Sequence, residues 1–203
     1  MRREAPGSQR LEAFSDGVMA IIVTITVFGL RPPDTPDLPA LLQIWPKFAT
    51  YAASFVFVAI VWVNHHSLVQ SARVISTATL WSNIMMMFTM SFIPFATAYL
   101  SAHIRSPLPV AIYNGLFLSC LVWFSVLSAS IARDRPGEDE VSRARNRQAA
   151  RKNLIGMGLY LIAVPLAFVS TWASLAIVIA VSAFFAWPSR WPAAVRDGES
   201  APS

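Results

Sequence analysis

The sequence predicts an all-α integral membrane protein with six transmembrane helices per subunit. Three observations carry this. Hydrophobic residues make up 55% of the chain and charged residues only 13%, where an ordinary soluble domain has about 25% charged. The apolar residues gather into runs long enough for helices of about 20 residues to cross a bilayer. The basic residues fall almost entirely into alternate connections between those runs, as the positive-inside rule requires. The net charge of +5 is therefore a topology signal, and no nucleic-acid partner is expected.

The first span covers residues 11–30 and is stopped by Arg31-Pro32-Pro33; a Pro- and Asp-containing loop follows to Ile44. The second covers 46–69 and ends in Asn64-His65-His66. The third covers 77–100 with an internal Pro94, and the fourth 109–131. A hydrophilic loop, 133–152, carries both signs of charge. The block 154–187 is too long for one crossing and suits two short ones with a tight turn near Ser170 to Ser174. One membrane domain, 1–190, is expected, followed by a polar tail, 191–203, expected to be disordered. Of the 16 Lys and Arg residues, all but Arg31, Lys47 and Arg105 fall on the side of the N-terminus, which places both termini in the cytoplasm. Trp45, Trp62, Trp81, Trp172, Trp187 and Trp191 lie near proposed span ends, as interfacial anchors do. The single cysteine, Cys120, sits inside an apolar run and has no intrachain partner. No short apolar core with a small-residue cleavage site follows the basic start, so a cleaved signal peptide is not expected.

Polar residues inside the spans ask for a reason, because an ionisable group facing lipid costs roughly 3 kcal/mol on insertion scales. The topology brings Asp16, Asn64, His65, His66, Ser82 and Asn83 to one depth near the cytoplasmic face. One reading is an interhelical hydrogen-bond cluster of Asp16, Asn64, His65, His66 and Asn83 that holds the first helix in register, with Arg10 adding a charge. A second is that these groups meet water and headgroups at the interface. A third is a proton relay. A metal site is not expected: adjacent histidines on a helix diverge by about 100°, and no second His or Cys cluster lies near them.

The first span itself is patterned. At about 100° per residue, Phe14, Gly17, Ile21, Thr24, Ile25 and Phe28 fall within about 60° of one line, while Asp16 points roughly 140° away. The seam is mostly apolar and carries one hydroxyl. A buried helix whose threonines bond their own carbonyls would show the same pattern, and Gly17 and Ala20 would equally serve close helix packing.

The string Arg10-x-x-x-Phe14-Ser15-Asp16-Gly17-Val18-x-Ala20-Ile21-x-x-Thr24-x-x-x-x-x-Leu30 resembles the signature of the endosomal and lysosomal potassium channel family, transmembrane protein 175, in its prokaryotic branch. The Asn64-His65-His66 segment and the helix over residues 81–99 are similar to it too, so the resemblance covers about residues 10–188. It implies a homotetramer in a bacterial plasma membrane whose first helices line a central pore, without a cofactor and without a Thr-Val-Gly-Tyr-Gly filter. By position, Ile21 matches the apolar constriction, Thr24 the hydroxyl layer near which K+ passes, and Ile25 and Phe28 the outer apolar layers. Phe28 is larger than the aliphatic residue usual there. Arg10, Phe14, Ser15 and Asp16 match the part that anchors the helix to its neighbours. A second function, a secondary transporter or proton-coupled carrier using Asp16 and His65/His66, would show inverted repeats and broken helices; Pro94 and Pro165 interrupt apolar runs, but no repeat stands out. An intramembrane enzyme is not expected, because no nucleophile and base stand at a suitable spacing.

Overall fold

The computed structural model describes residues 7–72, 74–134 and 140–186. Their regular structure is helical throughout: α1 (Ser8–Val27), α2 (Leu38–Gln43), α3 (Trp45–Gln70), α4 (Thr77–Met90), α5 (Ile93–Ala102), α6 (Pro107–Arg133), α7 (Glu140–Leu166) and α8 (Thr171–Ala186). The polar tail 191–203, Trp187, and Arg2, Arg3, Arg73, Arg135, Arg190 and Arg196 of the topology argument lie outside the described residues.

Among the described residues, three stretches are long and apolar enough to cross a membrane: Trp45–Gln70, Thr77–Ala102 and Pro107–Arg133. They correspond to the second, third and fourth predicted spans. α8 is apolar but has only 16 residues. α1 carries Arg10, Glu12 and Asp16 in its first half, and α7 spends its first half on polar and charged residues.

Four boundaries differ from the sequence reading, each for a physical reason. α1 ends at Val27, before the prolines, because residues 28–30 tighten into bonds to the third residue back: Phe28 N–H to Ile25 O at 3.1 Å, Gly29 N–H to Thr26 O at 3.2 Å and Leu30 N–H to Val27 O at 2.9 Å. The following loop contains α2. Asp37 caps it by accepting the Ala40 N–H at 2.7 Å, and Pro39 suits its first turn. That bond, with one from the Thr35 hydroxyl, holds the Asp37 carboxyl below its ordinary range. The third span is two helices. Pro94 has no N–H and its ring would strike the carbonyl four residues back, so the chain breaks at Ser91–Phe92 and restarts with Pro94 in the first turn of α5. Finally, most of the charged loop is helix. From Glu140 onward, Ala144, Gln148, Ala149, Ala150 and the arginines are strong helix formers, and α7 runs through them without interruption into its apolar part.

α1 packs on α3, α4 and α5; α6 packs on α4, α5 and α7; α8 closes the group against α7, α3 and α6. The shared core is aromatic. Phe57 and Phe117 stack at 3.8 Å between centroids, and Tyr160 meets both edge-on. Because lipid tails are as apolar as leucine, shape fit and interhelical hydrogen bonds must hold such helices together. They are present. Ser54 Oγ stands 2.6 Å from Thr97 Oγ1 and 2.9 Å from Tyr113 Oη. Asn114 Nδ2 donates to Ser174 Oγ at 3.0 Å, and Asn153 Nδ2 to Leu121 O at 3.0 Å.

Candidate functional site: the two faces of the first helix

α1 has a buried and an exposed apolar face. Leu11, Ser15, Met19, Ile22 and Thr26 are buried against the rest of the subunit. Phe14, Gly17, Ile21, Thr24, Ile25 and Phe28 form the opposite, open face, with Ile21 58% and Phe28 79% exposed. The seam picked out by periodicity therefore looks out of its own subunit. From Ile21 to Phe28 it rises about 10 Å at 1.5 Å per residue.

The one hydroxyl on this face is oriented by its own helix. Thr24 Oγ1 donates to Ala20 O at 3.1 Å or to Ile21 O at 2.9 Å. Its proton is thus committed to the backbone, and what remains on the open side is an oxygen with free lone pairs, a cation ligand without formal charge. The second threonine, Thr26, bonds Ile22 O at 2.6 Å and is buried.

The buried face is fastened by a polar relay. Asn83 Nδ2 on α4 donates to Ser15 Oγ at 2.9 Å, and Ser15 Oγ in turn donates to Leu11 O at 2.9 Å. His65 Nε2 on α3 stands 2.8 Å from Asn83 Oδ1. A proton on Nε2 satisfies that bond, and the network assigns this tautomer. Ser15, His65 and Asn83 are each fully buried. Among the described residues, His65 Nδ1 is buried with no hydrogen-bond partner.

Around this relay lies a second, more exposed pair of contacts. Trp62 Nε1 donates to Asp16 Oδ1 at 2.8 Å. His66 Nδ1 lies 2.5 Å from Glu12 Oε1. The Trp62 and His66 rings stack at 5.9 Å.

The polar residues named from the sequence are therefore divided. His65 and Asn83 meet, with Ser15 between α1 and Asn83. Asp16 and His66 reach α3 and α1 by separate contacts. Asn64 is not brought in: it is exposed and donates to Ile60 O of its own helix at 2.7 Å. Arg10 is exposed in the first turn of α1 and forms no ion pair among the described residues. Phe14 stands on the open face, at the N-terminal end of the seam. Two participants were missed, Trp62 and Glu12. The signal was available: Glu12 and Asp16 are four apart, as are Trp62 and His66, so each pair shares a helix face.

The relatives of this chain agree with the fold. The family model described as endosomal/lysosomal potassium channel TMEM175 matches residues 10–94, which hold α1, the relay and the start of α5. A protein named as a potassium channel of Chamaesiphon minutus is 31% identical over 191 residues, 89% of this chain and 94% of its own length. One of a Chryseobacterium species, also named a potassium channel, is 40% identical over 61% of this chain and 65% of its own. The structure superposes with a TM-score of 0.79, at 28% identity, on a crystal structure described as a lysosomal potassium-selective channel TMEM175 homolog from Chamaesiphon minutus, covering 88% of this chain and 96% of that one. With α1, its open seam and its anchoring relay in place, the sequence and fold put this chain in the TMEM175 family of ion channels.

Proposed function

We propose that the chain forms a potassium-permeable channel in a bacterial plasma membrane, four copies meeting around an axis lined by α1. The observation that carries this is the open face of α1: a helix fastened on one side by buried hydrogen bonds presents apolar layers and one hydroxyl layer on the other. Relatives named as potassium channels support the choice of ion. In this reading six crossings are made by α1, α3, α4 with α5, α6, the apolar part of α7, and α8. The basic ends put both termini in the cytoplasm.

The layers have distinct work. Four Ile21 side chains form an apolar neck that excludes the water an ion needs. Four Thr24 hydroxyls, one turn outward, replace part of a cation's hydration shell. Ile25 and Phe28 continue the apolar wall. The C-terminal end of α1, at the outer mouth, adds a weak negative potential that favours cations. No cofactor is required, and the only ion is the permeant one.

Bilayer recordings test this. Unitary current steps with a potassium-dependent reversal potential are expected. Saturable, pH-coupled flux without steps would instead favour a carrier using Asp16, His65 and His66, three residues that here have three different partners. Within the channel reading, Thr24→Ala is expected to reduce the preference for potassium over sodium about fivefold, the equivalent of about one oxygen contact at 1 kcal/mol. An unchanged reversal potential under bi-ionic conditions would remove Thr24 from the selectivity layer.

A further inference from the structure

We propose that α7 holds an anionic membrane phospholipid along one face, its phosphate against Arg147 and Arg151 and its acyl chain along Leu154, Leu161 and Ile162. This goes beyond conduction and does not depend on it.

The face is defined by the helix itself. At about 100° per residue, Arg147, Arg151, Leu154, Leu161 and Ile162 fall within about 100° of one another. Both arginines are exposed, and Leu154, Leu161 and Ile162 are among the most exposed apolar side chains of the subunit. Asn153, Tyr160 and Ala163 lie on the opposite side and are buried, against the neighbours of α7, namely α6 and α8. α7 is one continuous helix from Glu140 to Leu166, so the arginines are not on a wandering loop. They stand at fixed places directly above the apolar stripe. Arg151 is less than one turn from Leu154, at the edge of the apolar region, and Arg147 is about 6 Å further out.

The chemistry then selects the occupant. A guanidinium offers a planar fork to phosphate oxygens. Among the described residues neither arginine forms an ion pair. Glu140 shares the face but lies about 16 Å from Arg151 along the axis, beyond a Debye length of about 8 Å. Lys152, at the flank, is turned aside with its Nζ 5.5 Å from the centroid of the Phe184 ring. An exposed apolar stripe capped by two cations matches a molecule with acyl chains and an anionic head. A free phosphate would use only the upper half of it.

The test is native mass spectrometry of the purified full chain, exchanged into mixed micelles with equal phosphatidylglycerol and phosphatidylcholine. The wild type is expected to retain phosphatidylglycerol about tenfold over phosphatidylcholine, since two cations standing above one acyl stripe favour a net-negative head over a zwitterionic one. Arg147→Gln with Arg151→Gln should bring that ratio to about one, glutamine keeping the helix propensity. Arg31→Gln with Arg105→Gln removes the same charge elsewhere and should leave the ratio unchanged. Raising salt from about 0.05 to 0.5 M should lower the wild-type ratio several-fold, a readout that needs no variant. Inorganic phosphate at about 10 mM should not displace the lipid. No preference in the wild type, a preference surviving the Arg147/Arg151 change, an equal loss in the Arg31/Arg105 control, insensitivity to salt, or displacement by inorganic phosphate would each overturn the assignment.

Discussion

Asn83→Ala is expected to destabilise the subunit by about 2–3 kcal/mol. The amide is the only group that touches both Ser15 and His65 in the relay. Removing it leaves the His65 Nε2 proton without its acceptor and the Ser15 oxygen without its donor, both at fully buried positions. An unsatisfied buried polar group costs about 1–3 kcal/mol. Interhelical bonds in membranes sit toward the lower end of that range, because an unfolded chain in lipid also finds partners. A cavity left by the amide adds to the loss. Asn64→Ala is the matched comparison. Its amide is exposed and bonds only its own helix, so a change within about 0.5 kcal/mol is expected. Denaturant unfolding in detergent, followed by tryptophan fluorescence, measures both. Equal losses for the two variants would mean that the relay does not fasten α1.

Ile21→Ser is expected to raise potassium current at a fixed open probability about tenfold or more. A hydroxyl at the neck lets water in, and a tenfold increase needs only about 1.4 kcal/mol off the barrier to ion passage. The same change at Ile22, one residue on, would put a hydroxyl into the subunit core, since Ile22 is 3% exposed. That variant should lose stability instead of gaining current. Single-channel amplitudes from reconstituted protein separate the two, and an Ile21→Ser channel with wild-type conductance would place the constriction elsewhere.

These opposite expectations for neighbouring residues show how much was legible in the sequence. The direction of the α1 seam was readable because a helix repeats every 3.6 residues, and both of its faces are patterned at that period. Placing His65 and Asn83 at one depth needed only the order and polarity of the spans. Which of the polar residues would touch was not readable. Adjacent residues on α3 point about 100° apart, so His65 enters the core, His66 turns to Glu12, and Asn64 bonds its own backbone. Only the rotation of α3 against α1 decides among them. The break between α4 and α5 is implicit in Pro94, but hydropathy runs across it unchanged. The charged segment before Leu154 is polar enough to suggest a loop, although its residues are helix formers. In both places backbone chemistry, not average polarity, decides the structure. Asn114 and Asn153, which tie α6 to α8 and α7, carried no sequence signal beyond being polar inside apolar runs.

The channel proposed for this chain requires the open face of α1 to turn toward other copies of itself. Cysteine cross-linking in a Cys120→Ser background measures this most directly. With Ile21→Cys, mild oxidation in the membrane should convert most of the protein to a covalent dimer on denaturing gels. Leu161→Cys, on the outward face of α7, should stay monomeric under the same conditions. A monomeric Ile21→Cys protein alongside a cross-linked Leu161→Cys protein would contradict the account, because it would place α7 at the subunit contact and α1 in lipid.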